Sequence, residues 1–110
     1  MSLDINFSAR KGEICPHCGG VVKAAEMYSA ESGGRAWYPI LEELGYYVPY
    51  DQRTEENNWY AKDMVLTAEQ TRKLYEFVKN RKDLYNREVV LGLIATAIVD
   101  ECAVVINADW

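Results

Sequence analysis

The sequence predicts an α+β fold: a small antiparallel sheet, formed by an N-terminal hairpin and a C-terminal strand, packed against two or three helices. Three observations lead there. Leu3, Ile5 and Phe7 alternate with Asp4, Asn6 and Ser8, the period of a strand with one buried face. Thr67-Ala68-Glu69-Gln70 is a capping box that opens a helix. The segment from Val89 to Val99 is apolar nearly all round and reads as a buried helix, and the β-branched run Cys102-Ala103-Val104-Val105-Ile106 after it reads as a last strand, with continued helix as the competing reading. A chain of 110 residues is the length of one domain, 1–110.

Each element has a local reason. After the first strand, Ala9 to Glu13 reads as a polar turn leading to Cys15-Pro16-His17-Cys18-Gly19, and Val21 to Tyr28 reads as the returning strand, which sets a Cys-X-X-Cys hairpin over 12–22. Ser29 to Arg35, with Gly33-Gly34, is expected to be a loop. Trp37 to Leu44 reads as a short helix with Pro39 in its first turn and Gly45 at its stop. Tyr46 to Tyr60 is irregular, polar and aromatic, and a loop this long in a small domain is often functional. In the capped helix, which runs to about Arg81, Leu74, Phe77 and Val78 form the apolar stripe, with Arg72, Glu76 and Lys79 opposite. Met64, Val65 and Leu66 sit where a hydrophobic staple would hold its start. Asn86 is the expected cap of the last helix, Arg87 to about Glu101, which belongs in the middle of the core.

The cysteine turn carries the only chemistry of the chain with a recognisable pattern. Two thiols three residues apart, with Pro between and Gly after, can face one metal ion, and zinc is the cofactor this turn suits. Four ligands are needed, and the chain holds three Cys and one His. Cys15 and Cys18 are the candidate ligands, with Cys102 as a third and His17, a carboxylate or water as the fourth; a homodimer could instead supply four thiolates from two copies. Cys-Pro-His-Cys also resembles the active-site tetrapeptide of the bacterial periplasmic thiol oxidases, which implies a thiol–disulfide redox protein. That chemistry needs a helix directly after the motif, and Gly19-Gly20-Val21-Val22 is a poor helix start. The third reading is a hairpin turn with idle thiols.

Trp37, Tyr38, Tyr46, Tyr47, Tyr50, Trp59 and Tyr60 crowd one stretch together with Glu42, Glu43, Asp51, Glu55 and Glu56, against a single basic residue, Arg53. Tyr and Trp anchor interfaces because they bury much area with few rotors, and acidic neighbours favour a basic partner. Trp37, Tyr46, Tyr47, Tyr50, Trp59 and Tyr60 are therefore candidate contacts to a protein partner; the alternative is that these rings pack the loop onto the core.

A net charge of −5 disfavours a nucleic-acid binder, since phosphate affinity comes from clustered Lys and Arg. The basic residues Arg72, Lys73, Lys79, Arg81, Lys82 and Arg87 are diluted by Glu69, Glu76 and Asp83, so a metal-stabilised nucleic-acid-binding protein stands as the alternative rather than the lead. No basic start followed by an apolar run marks a signal peptide, and Val89 to Val99 is too short to span a bilayer; the expectation is a cytoplasmic protein with reduced thiols and no membrane contact. One His, adjacent carboxylates that cannot face each other on a helix, and no phosphate-binding glycine loop leave no residue set that calls for an enzyme.

The order of features resembles small proteins encoded by bacteriophages and prophages, a loosely related set of unknown function. The similarity runs through Leu3-Asp4-Ile5, a glycine-containing turn, a middle helix ending Leu44-Gly45, Thr54-Glu55-Glu56-Asn57-Asn58-Trp59-Tyr60, the last apolar helix and the tail Asp109-Trp110. It covers most of the chain, and the cysteine turn departs from it. The resemblance implies a small accessory protein of mobile-element type and carries over no functional residue.

Overall fold

The computed structural model describes the backbone of residues 3–14 and 21–110, and the side chains of 3–11 and 28–110. Strand β1 is Asp4–Ile14 and β2 is Val21–Gly33. A 3-10 turn, Arg35–Trp37, leads into helix α1, Tyr38–Glu43. A second 3-10 turn, Tyr50–Gln52, interrupts the long connection to the two-residue strand β3, Met64–Val65. Helices α2, Ala68–Asn80, and α3, Arg87–Val99, come next, and β4, Ala103–Asp109, returns to the sheet. The sheet is four-stranded with order β2-β1-β4-β3, and every pairing is antiparallel. The expected α+β architecture is therefore the observed one, with β3 as an added edge.

Period-two alternation sets the layers. Ile5, Phe7 and Ala9 lie opposite Ala108, Ile106 and Val104 of β4, and opposite Ser32, Ala30 and Tyr28 of β2. All of these except Tyr28 are buried, and α3 packs on that face. Asn6, Ser8, Arg10, Ser29, Glu31 and Asn107 line the opposite face, together with the buried Val105. At the end of β2 the backbone comes very close to β1: a Cβ on Gly33 would run into the Leu3 carbonyl oxygen. Gly34 follows with φ 103° and donates its N–H to that same oxygen.

Trp37 joins the layers. It is fully buried, its ring centroid lies 5.1 Å from Phe7 on the sheet and 6.0 Å from Phe77 on α2. Its indole N–H donates to Ser32 Oγ at 2.9 Å, and the Ser32 hydroxyl donates on to the Tyr85 carbonyl, so this buried polar pair is satisfied.

Several expectations are corrected. Ala9–Glu13 is not a turn: β1 continues through it to Ile14, pairing with β2 beyond the end of β4. Ser29–Gly33 is strand rather than loop, because Ala30 and Ser32 extend the buried face that Phe7 and Ile5 begin. Met64 and Val65, expected beside the start of α2, pair with Ile106 and Val105 as the edge strand. Asn86 stands at the start of α3 in a left-handed conformation, φ 57°, and its side chain does not cap the helix. Its amide instead donates to the Glu31 carbonyl at 2.8 Å, tying the α2–α3 connection to the edge of β2. Helix α3 ends at Val99 and is not enclosed: Val90, Leu93, Ile94 and Ala97 are buried, but Val89, Ile98 and Val99 are 54%, 42% and 79% exposed. One layer of sheet covers only one side of a helix, so an all-round apolar sequence leaves apolar residues outside.

Candidate functional site

The long connection after α1 folds into an aromatic surface, and its path starts at Gly45. With φ 79° this glycine ends α1 in the left-handed region, and the next N–H groups, of Tyr46 and Tyr47, both return to the Leu41 carbonyl. Tyr46 turns inward and is fully buried. Its hydroxyl donates to the Lys62 carbonyl and accepts from the Ala108 N–H, each at 2.7 Å. Ala61 N–H reaches the Ala108 carbonyl at 2.8 Å. Tyr46 and the 61–62 backbone thus occupy the edge of β4 beyond β3. Burial pushes the Tyr46 hydroxyl above its ordinary pKa, against the two backbone hydrogen bonds.

Around this anchor the remaining rings gather on Trp110. Tyr47 meets the indole edge-on at 5.1 Å between centroids, Tyr60 at 5.0 Å and Tyr46 at 6.1 Å. Tyr38 stands edge-on to Tyr47 at 4.8 Å. The Arg53 guanidinium lies 5.4 Å from the Trp110 centroid, 5.7 Å from Tyr47 and 5.8 Å from Tyr50. Arg53 is held there by two hydrogen bonds to the Val48 carbonyl, at 3.1 and 2.9 Å. Polar side chains shape the rest of the loop. Thr54 and Asn57 bond reciprocally to each other's backbone N–H groups, and Asn57 also donates to the Gln52 carbonyl. Local bonds of this kind hold turns in place without regular secondary structure.

The six expected contact residues divide by depth. Trp37 and Tyr46 are core, fully buried, and cannot touch a partner in this fold. Tyr47 and Trp59 are half-buried and pack against the core, Trp59 with its ring 6.4 Å from Tyr46. Tyr50 is 86% exposed and Tyr60 43% exposed. Asp51, Glu55, Glu56 and Asp109 are exposed near them in the chain and give the surface an acidic rim. Sequence reasoning missed Trp110 as the centre. A pattern that would have found it is the alternation in β4: Ile106 and Ala108 face inward, and the same period carries Trp110 to that side.

Cys15, His17 and Cys18 lie outside the described residues. Cys102 is half-buried, with its sulfur 3.9 Å from the Asp100 carbonyl oxygen. It stands one position past the Arg10–Ala103 pair, whereas β1 runs on to Ile14, which is about 13 Å beyond Arg10 at a strand rise of about 3.3 Å. Among the described residues no three His, Cys, Asp or Glu side chains form a group that could hold a metal ion.

Other surfaces are less distinctive. The polar sheet face forms a concavity of about 380 Å³, where Asp63 accepts from Asn107 at 2.9 Å and pairs with Arg10 at 3.5 Å, and Arg10 donates to Ser8. Asp63, Asn107, Arg10 and Ser8 are thereby engaged with one another. Of the basic residues around α2, Arg87 is spent on the Val78, Lys79 and Arg81 carbonyls at the carboxyl end of that helix, and Arg81 pairs with Asp83 at 2.8 Å. Arg72 and Lys73 share their groove with Glu43, Glu69 and Glu76. Among the described residues no helix is long and apolar enough to cross a membrane.

Comparison of the chain with known protein families, curated proteins and solved structures finds no match in any of the three.

Proposed function

We propose that this chain is a non-enzymatic accessory protein that binds a basic protein partner through the aromatic surface centred on Trp110 and Arg53. The observation that supports this most directly is the geometry of Trp110: half-buried, met edge-on by Tyr47 and Tyr60, and overlaid by Arg53. Rigid rings with their backs on the core lose little entropy on contact, which is what interface anchors need. The acidic rim favours encounter with a positively charged surface. A mobile-element origin rests on the resemblance to phage and prophage proteins alone.

Tyr50 and Tyr60 are better probes than Trp59, because Trp59 also packs against the core. With a partner captured from the native host and then purified, a Tyr50→Ala/Tyr60→Ala double variant should bind about tenfold or more weakly, with an unchanged melting temperature. Binding by the variant equal to wild type would sink the proposal.

A structural zinc knuckle is the second reading, and one observation favours it over redox chemistry. Strand β2 begins at Val21, directly after the cysteine turn, where a thiol oxidase needs a helix amino terminus. Zinc would be held by Cys15 and Cys18 with further ligands, and metal analysis of protein purified without chelator tests it.

A further inference from the structure

Three aromatic rings share one cation. The Arg53 guanidinium carbon lies 5.7 Å from the Tyr47 centroid, 5.8 Å from Tyr50 and 5.4 Å from Trp110, the spacing at which an aromatic face attracts positive charge. Two of these rings are braced by others: Tyr47 by Tyr38, edge-on at 4.8 Å, and Trp110 by Tyr60 and Tyr46. The third, Tyr50, is 86% exposed, so the seat is open on that side. The seat also has a polar end. Arg53 Nε and Nη2 both donate to the Val48 carbonyl, at 3.1 and 2.9 Å. The ion pairs among the described residues do not include Arg53. Beside it a concavity of about 620 Å³ carries Asp51 and Glu55 on its walls, together with Tyr50 and Arg53 itself.

Resting on the reading of this surface as the contact site, we infer that the seat receives an arginine side chain of the basic partner, and that Arg53 is a resident stand-in which the partner displaces. The seat selects its occupant by the chemistry already in it. A planar guanidinium can lie against the rings and give two N–H groups of one fork to the Val48 carbonyl. An ammonium has neither the plane nor the fork, and an anion would meet Asp51 and Glu55 at the entrance. The exchange leaves no group without a partner. The incoming guanidinium takes over the rings and the Val48 carbonyl, and Arg53 moves into the concavity towards the Asp51 and Glu55 carboxylates. A resident that fills the seat lowers the partner's apparent affinity by the fraction of time the seat stands open, which makes Arg53 an autoinhibitory contact.

Titration of the full chain with N-acetylarginine amide tests it, followed by NMR at the assigned Trp110 indole N–H. Arg53→Ala should bind this probe about tenfold or more tightly than wild type does, with a saturable shift at Trp110. Arg53→Gln, which keeps an amide to donate to the Val48 carbonyl, should change affinity in the same direction, and it carries the test should Arg53→Ala fail to fold. N-acetyllysine amide, of equal charge, should bind the variants about fivefold or more weakly than the arginine probe. Adding Tyr50→Ala to Arg53→Ala should remove most of the gain. Folded variants that bind the arginine probe no better than wild type, or that bind the lysine probe equally well, overturn the inference. The probe requires no partner protein, so this result and that of the Tyr50→Ala/Tyr60→Ala variant against a captured partner can fail independently.

Discussion

The Tyr46 hydroxyl sits where the sheet needs a hydrogen-bonding partner. It accepts from the Ala108 N–H and donates to the Lys62 carbonyl, the first bond buried and the second partly so. Tyr46→Phe removes both bonds and leaves two backbone groups short of a partner, so a loss of about 1–3 kcal/mol is expected in urea denaturation near neutral pH. The pH dependence has a definite sign. Burial raises the folded-state pKa of this phenol above its ordinary 10.0, so between the two values the folded chain keeps a proton that the unfolded chain has released. Stability from Tyr46 is full below about pH 10 and falls as the pH rises through the folded value. Wild type should therefore lose more stability than Tyr46→Phe between about pH 8 and pH 11, which narrows the gap between them. A constant gap would mean that the hydroxyl is not sealed from solvent.

Among the elements, α2 shows how one side chain can serve two ends. Thr67 accepts from the Gln70 N–H at 3.1 Å, and Gln70 Oε1 accepts from the Thr67 N–H at 2.9 Å, which completes the box expected from the sequence. The Gln70 amide also donates to the Leu44 carbonyl at 3.1 Å, the last residue before Gly45. The amino end of α2 is thereby fastened to the carboxyl end of α1. Thr67→Ala should cost about 1 kcal/mol, the usual worth of a cap. Gln70→Ala should cost at least as much, because the Leu44 carbonyl loses its partner too. Urea titrations of both variants give the comparison, and a Gln70→Ala loss well below that of Thr67→Ala would show that the link to α1 carries no stability. At the other end, Arg87 closes α2 by donating to three of its terminal carbonyls, so a residue that reads as surface charge is a helix cap.

The molecule as a whole gathers its described core from Leu3 to Ala9, from Ala30, and from side chains between Trp37 and Ala108. The α3 helix contributes Val90, Leu93, Ile94 and Ala97 to it, pressed on the face of β1, β2 and β4. That described core draws on all four strands and all three helices. A Cys15→Ser/Cys18→Ser variant, or addition of a chelator, should accordingly shift the melting temperature by no more than about 5 °C, equivalent to about 1 kcal/mol in a domain of this size. Loss of cooperative unfolding on chelation would instead make the ion part of the fold.

The sequence alone determined the elements whose pattern is local. The alternation at Leu3, Ile5 and Phe7, the Thr67–Gln70 box with its apolar stripe and the stop at Gly45 all follow from neighbours one to four residues apart. Those patterns suffice because backbone geometry repeats over the same few residues. The run from Cys102 to Ile106 suits strand or helix by pattern, and its pairing with β1 makes it strand. Only the tertiary structure decided which rings are exposed and which are core. Trp37 and Tyr46 share the composition of their exposed neighbours Tyr50 and Tyr60, yet they are sealed because Phe7, Phe77 and the edge of β4 arrive over them from distant parts of the chain. The exposed side of α3 was equally out of reach: its sequence is apolar on every face, so only the placement of a single covering sheet separates inside from outside.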